Sequence, residues 1–297
     1  MLARLQQLLC LVLGVLSLTW LLAWWAWSPW LALAGLLLPV AGYGALLACE
    51  FALLVRQRHD PAPRPTPAQL LAAWGAELRC GMQVFFWRQP FRAQAEPDHL
   101  PRDVRRAGVV FVHGLFCNRA FWAPWMQRAR ALGLPHVAVN LEPVIGSIDG
   151  YAPAIEAAVA QVQRATGIPP VLVCHSMGGL AARAWLRQSG AAARVARVVT
   201  IASPHGGTWM ARLGHGASAR QMEPDSDWLA QLARDEAALA AAVPFTCWYS
   251  NCDNIVFPVS TAARAGADNR FVPGRPHVAL AFDERVLQAT LQDLGRA

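Results

Sequence analysis

Ser176 stands at the end of an apolar run, VLVCHSMGG over residues 171–179, with two glycines close behind it. A serine hydroxyl is a weak nucleophile until a neighbouring base takes its proton, and the base needs an acid to orient it. A strand that ends in a tight turn and passes into a helix exposes such a serine, provided the residues two before and two after it are small. Gly178 meets that condition, and Cys174, larger than glycine but compact, fills the other place. Alone, Ser-x-Gly is also what any strand–turn–helix can carry. The residues downstream raise it above that. Asp253 (in YSNCDNIVFP) and His277 (in VPGRPHVAL) follow in the order acid then histidine, each beyond a later strand, and His277 is the sole histidine after His215. Asp in a turn and His in an exposed loop have plainer uses, but order and placement coincide here.

Acyl transfer also needs two N–H donors for the oxyanion, one from the residue after the nucleophile and one from the loop after an earlier strand. Met177 supplies the first. In FVHGLFCN a strand ends at His113-Gly114, and the N–H of Leu115 is the natural second. His113, at a strand end before a glycine, reads as a shaper of that loop and not as the base. No His, Cys and carboxylate residues fall at metal-ligand spacing, so neither a metal nor an organic cofactor is expected.

These residues require a frame to hold them. Buried, β-branched runs predict strands at 108–113, 135–140, 171–174, 195–201, 245–249 and 269–272, with an early strand at 82–87. Amphipathic or helical periods fall at 70–80, 121–132, 151–166, 177–188 and 282–294. Such alternation implies an α/β fold with a mostly parallel sheet covered on both faces and a site at the carboxyl ends of its strands. Residues 206–242 form an insertion between core strands. Trp209, Met210, Leu213, Met222, Trp228 and Leu229 make it either a cap over an acyl pocket or ordinary helical packing, and Asp225 and Asp227 within it are alternative acids.

F-V-H-G-L-F at 111–116, C-H-S-M-G-G at 174–179, T-I-A-S-P-H-G-G-T at 200–208 and D-N-I-V-F-P at 253–258, followed by His277, resemble the α/β-hydrolase superfamily, and within it bacterial triacylglycerol lipases and esterases, over roughly residues 107–295. The resemblance implies an α/β-hydrolase fold and a Ser176–His277–Asp253 triad acting through an acyl-enzyme. It implies Leu115 and Met177 as oxyanion donors, with His113, Gly114 and Gly178 supporting them and His205 structural or pocket-lining. Asp253, Val256 and Pro258 match the family's acid motif, and residues 221–232 are similar to its stretch leading into a mobile cap. Cys174 departs from the pattern, standing where the family has its first elbow glycine.

Composition sets the surroundings. The chain is 55% apolar and 15% charged, with a net charge of +7 and 26 basic residues that are all arginine. No arginine run exceeds two, which argues against a nucleic-acid footprint. Seven scattered cysteines argue against a disulfide framework, although Cys247 and Cys252 are close enough in sequence to pair. From Leu5 to Val55 the ionisable side chains are Cys10, Tyr43, Cys49 and Glu50. That run is about twice the ~20 residues that cross a bilayer. Ser28-Pro29 divides it into spans at 5–27 and 30–55, with Trp24, Trp25, Trp27 and Trp30 around the break, as at a hairpin tip in the interface. Arg4, Arg56, Arg58 and Arg64 flank the spans and place both ends in the cytoplasm. The core is too long for a signal peptide, and a lipoprotein-like Leu46–Cys49 lies too deep in the chain.

The expectation is therefore an inner-membrane anchor over 1–58, a proline-rich linker over 59–69 and a cytoplasmic hydrolase domain over 70–297, which would be periplasmic if one span alone is real. The expected activity is cleavage of a carboxylic ester or lipid. Acyl transfer, thioester cleavage and an inactive membrane scaffold are the alternatives.

Overall fold

A computed structural model describes residues 1–57, 59–101, 104–190, 192–237 and 243–295. Six strands form one wholly parallel sheet in the order β2-β1-β3-β4-β5-β6. They are β1 (Val109–Val112), β2 (His136–Ala138), β3 (Val171–His175), β4 (Arg197–Ile201), β5 (Phe245–Tyr249) and β6 (Asp268–Phe271). β1 and the first four residues of β3 read as unbroken apolar runs because helices cover both faces and every residue is buried. β6 lies at the edge, and three of its four residues, Asp268, Asn269 and Arg270, are charged or amide. The register pairs Val112 with Cys174, and Cys174 with Thr200, so β1, β3 and β4 end level with one another. Their following loops therefore open at one edge.

The helices, in chain order, are α1 (Leu2–Trp25), α2 (Pro29–Gly35), α3 (Leu38–Val55), α4 (Pro67–Gln83), α5 (Gln89–Phe91), α6 (Ala123–Ala131), α7 (Ala152–Thr166), α8 (Met177–Ser189), α9 (Ala217–Met222), α10 (Asp227–Ala237), α11 (His277–Leu280) and α12 (Glu284–Gly295). One face of the sheet is packed by α7 and α8, through Ile155, Val159, Leu180 and Trp185. The other is packed by α6 and α12, through Trp125, Met126, Val286 and Leu291. In the insertion, Met222, Leu229 and Leu232 join the α7–α8 core, and Arg183 of α8 holds Glu236 of α10 in a two-pronged pair at 2.8 Å. Residues 238–242 of the expected insertion lie outside the described residues.

Two expectations are corrected. Residues 82–87 are not a strand: α4 runs to Gln83 and continues as a wide π turn over Val84–Arg88. The aromatic run Phe85–Trp87 has strand-like propensity, but its neighbours are helices. Val84 enters the sheet core, Phe86 meets Tyr43 edge-on with ring centroids 5.7 Å apart, and the Phe86 carbonyl faces the Cys10 thiol. Tertiary packing overrides local preference. Second, the apolar stretch after Pro29 is not one helix. α2 ends at Gly35, and α3 begins afresh with Pro39 in its first turn. Proline there has no N–H to continue the ladder, and its ring clashes with the carbonyl of the preceding turn.

α1 and α3 are each long and apolar enough to cross a membrane. α1 and α2 close into a hairpin where Trp20 lies over Gly35 and donates from Nε1 to the Leu31 carbonyl at 3.0 Å. Trp25, Trp27 and Trp30 at its tip are exposed. The other end is joined to the sheet domain. Gln6 donates to Gln89 at 3.1 Å, Trp74 of α4 donates to the Gly44 carbonyl at 2.8 Å, and Phe51 and Leu54 are buried with Ala73 and Phe257. The proline-rich segment lies against the loop after β5, where Asp60 accepts the N–H groups of Val259 and Ser260. It ends in a capping box between Thr66 and Gln69 that starts α4.

Candidate active site

The turn between β3 and α8 carries Ser176 at φ 55°, ψ −129°, a left-handed region costly to a residue with a Cβ. Close approach of backbones enforces it. A Cβ on Gly178 would lie 2.5 Å from the Val112 carbonyl and 2.7 Å from that of His113, so α8 can start this near β1 only with glycine there. A Cβ on Gly114 would lie 2.8 Å from the Cβ of Ser176 itself. Cys174 lies wholly buried within β3, and burial raises its thiol well above the ordinary range, so it is a neutral packing group. The Ser176 N–H is fixed at 2.9 Å from the Ile201 carbonyl.

The structure brings Ser176, His277 and Asp253 together. Ser176 Oγ lies 3.0 Å from His277 Nε2, and His277 Nδ1 donates to Asp253, with its oxygens at 2.9 and 3.1 Å. Asp253 is buried, and its Oδ1 also accepts the N–H groups of Ile255 at 3.0 Å and Val256 at 2.8 Å. Burial by itself would lower the basicity of His277. The charge and hydrogen bond of Asp253, with the carboxylates of Glu77 and Glu50, outweigh it and leave the imidazole above its usual value. Such a chain can move the serine proton to Nε2 while the carboxylate holds Nδ1–H and the imidazolium that forms.

Met177 is the first residue of α8, so its N–H has no acceptor within the helix. The N–H of Leu115, in the turn after β1, makes no hydrogen bond among the described residues. His113 is buried and serves that loop: Nδ1 donates to the Gly114 carbonyl at 2.9 Å and Nε2 accepts from Leu141 N–H at 3.1 Å. Burial lowers its basicity to about 4, so it stays neutral. His205 bonds Thr200 at 3.0 Å, and its carbonyl accepts from Arg183. Asp225 sits in a turn and Asp227 opens α10, and neither bonds His277. Among the described residues no group of three or more His, Cys, Asp or Glu is placed to hold a metal ion. Cys247 and Cys252 are both free thiols. A cavity of about 590 Å³ lined by Arg79, Arg88, Arg128 and Arg275 lies beside α11, and its walls include neither Ser176 nor Asp253.

Three partners escape a reading of motifs. His175, directly before the serine, donates from Nε2 to the His277 carbonyl at 3.2 Å and stacks on Phe121 at 4.5 Å between centroids. Burial, then the charge of His277, hold it well below ordinary histidine basicity. Glu50 and Glu77 reach the site from α3 and α4. Glu50 did carry a signal, as the one carboxylate in a run otherwise fit for lipid, because such residues are retained for a partner.

A parallel sheet with a strained serine turn after a central strand defines the α/β-hydrolase class of folds. The model of the Alpha/beta hydrolase family matches residues 109–296, and the chain belongs to that family. Among solved structures, the chain is similar to the Bacillus licheniformis lipase BlEst2 in its mature form, at 16% identity and a TM-score of 0.58 over 65% of this chain and 94% of that one. It is also similar to Aspergillus fumigatus lipase B, at 16% identity and a TM-score of 0.56 over 68% of this chain and 57% of that one. At such identities the likeness is one of fold. No match was found among curated proteins.

Proposed function

We propose that the protein is a membrane-anchored serine hydrolase that cleaves carboxylic esters of lipid or acyl type. The observation that carries the reading is the unbroken chain from Ser176 Oγ through the His277 imidazole to the buried Asp253 carboxylate, at 3.0 and 2.9 Å. Ser176 attacks the ester carbonyl as His277 takes its proton. Asp253 fixes the Nδ1–H tautomer and stabilises the imidazolium, and the N–H groups of Leu115 and Met177 hold the oxyanion. His277 then protonates the leaving alcohol, and water, activated by the same imidazole, releases the acid from the acyl-enzyme. The lipase names of the two structural neighbours support an ester substrate. The apolar lengths of α1 and α3 and the exposed tryptophans between them support anchoring of residues 1–58 in a bilayer, with the arginines after the second span holding the domain on the cytoplasmic side.

Membranes bearing the full chain should be labelled by a fluorophosphonate, and Ser176→Ala should abolish the labelling. Equal labelling of the two would sink the assignment. A carboxyl-terminal alkaline phosphatase fusion should be inactive if the topology is right; an active fusion would reverse it.

A further inference from the structure

α11 begins at His277 directly after Pro276, a residue with no side chain able to cap the helix. Three successive N–H groups of this first turn are nevertheless bound, and none by a neighbour in sequence. His277 N–H donates to Asn254 Oδ1 at 3.1 Å, Val278 N–H to Glu77 Oε1 at 2.8 Å and Ala279 N–H to Glu77 Oε2 at 3.0 Å. Asn254 is held in turn from its other end, donating from Nδ2 to Glu50 Oε2 at 2.6 Å. The backbone that carries the imidazole is thus suspended from two acids about 200 residues earlier in the chain, one at the end of α3 and one in the middle of α4.

A hydroxyl or amide would satisfy these N–H groups without bringing charge into the interior. Glu77 is wholly buried, so a carboxylate there calls for a further reason. The groups facing His277 are His175 and Ser176 from the β3–α8 turn, Asp253 from the loop after β5, Glu77 from α4 and Glu50 from α3. Arg275, on the same segment, is drawn off to Asp283. Among the described residues, Asp253, Glu50 and Glu77 form no ion pair with an arginine. Three carboxylates therefore converge on one imidazole, and their field favours the imidazolium that forms during attack by Ser176.

We propose that Glu50 and Glu77, supplied by the helices that precede the hydrolase fold, are positioning residues for His277: they hold its backbone in place and favour its charged form. The inference rests on the serine-hydrolase reading above. It makes the base of the anchor part of the catalytic apparatus, so that α3 and α4 are required for the chemistry and not only for location. Burial, against the pull of two N–H groups and of His277, brings Glu77 itself to about 7, so its charge is carried above that value and fades as pH falls below it.

The test uses the full chain in detergent and the rate of fluorophosphonate labelling across the pH range in which an imidazole titrates. Glu77→Gln keeps the size and one of the two accepting oxygens and loses the charge. Removing a carboxylate lowers the basicity of a neighbouring imidazole. The acidic limb should therefore move to lower pH by up to about half a unit, while the plateau rate falls about tenfold. KM for a soluble short-chain ester should not change. Glu50→Gln should move the limb the same way by less, and Glu284→Gln, on the exposed face of α12, should move nothing. A slower Glu77→Gln enzyme whose limb stays in place would reduce Glu77 to a helix cap and overturn the proposal, with Ser176-dependent labelling, and hence the hydrolase reading, left standing. If Glu77→Gln does not fold, Glu50→Gln decides on the same readout, and an unmoved limb overturns the proposal. Loss of Ser176-dependent labelling in the wild type would bring down the hydrolase reading and this inference with it.

Discussion

Ser176 and His277 face each other across 3.0 Å but are held by different forces. On the serine side, the constraints are close backbone packing and one backbone hydrogen bond. Gly178 lies against the Val112 and His113 carbonyls and Gly114 against Ser176, and the β3–β4 register fixes the Ser176 N–H on Ile201. On the histidine side, the constraints are polar and remote. Asp253 and Asn254 descend from β5, and Glu50 and Glu77 reach in from α3 and α4. Close packing is indifferent to pH and to a neighbour's charge, whereas hydrogen-bonded carboxylates respond to both. Ser176 is thus rigid by construction, and the adjustable part of the site is His277.

The most damaging change should fall on the steric side. Gly178→Val drives side-chain atoms into the carbonyl oxygens of Val112, the last residue of β1, and of His113 just after it. Labelling of Ser176 should fall more than about 100-fold, with a loss of about 3 kcal/mol or more in stability, read by thermal unfolding of the full chain. Retention of a labelled, stable protein would mean that the elbow is softer than its contacts imply. On the polar side, Asn254→Ala removes the link between Glu50 and the His277 N–H and leaves both without a partner. A roughly tenfold loss of rate is expected, with about 1–2 kcal/mol of stability.

The pH behaviour separates the two sides further. In the proposed mechanism His277 must be neutral to accept the serine proton, and against burial its basicity is raised, chiefly by Asp253. Activity should therefore decline as pH falls through a value above the ordinary histidine value of about 6.5. His113, in the loop after β1, is shifted the other way, to about 4 by burial. Above about 6.5 it is neutral folded or unfolded and contributes nothing to a pH dependence. Below that the unfolded chain takes up its proton first, so Tm should drop as pH descends toward 4. His113→Gln should flatten that part of the Tm profile, and an unchanged slope would assign the effect elsewhere.

How much of this was readable from the sequence follows the same division. The strands at 109–112, 171–175 and 197–201, the serine turn and the glycine after it are each local: an apolar run, a break and a small residue. Asp253 and His277 were readable because they follow strands in chain order. The polar suspension of His277 was not, because Glu77 looks from its neighbours like any acid on an amphipathic helix, and its partners lie 201 and 202 residues away. The π turn at Val84–Arg88 failed for the same reason, since contacts with Tyr43 and Cys10 decided it against local propensity. The break before α3 could have been read from Pro39 alone.

Cys174 is where the steric side can be tested most gently. The residue two before the nucleophile must be small for the turn to close, yet the structure places Cys174 within β3, paired with Val112 and Thr200, its side chain buried in the core beneath the turn. Its thiol is protonated and enclosed, without the exposure or the positive surroundings that make a cysteine reactive. Replacing it by glycine removes a small buried group and loosens a strand, which should cost about 1–2 kcal/mol in stability. Nothing that fixes Ser176, His277 or Asp253 passes through the sulfur, so Cys174→Gly should label within a few-fold of wild type. A collapse of labelling in a folded Cys174→Gly protein would show that the cysteine sets the angle of the turn, and would move it from packing into the constraint on the nucleophile.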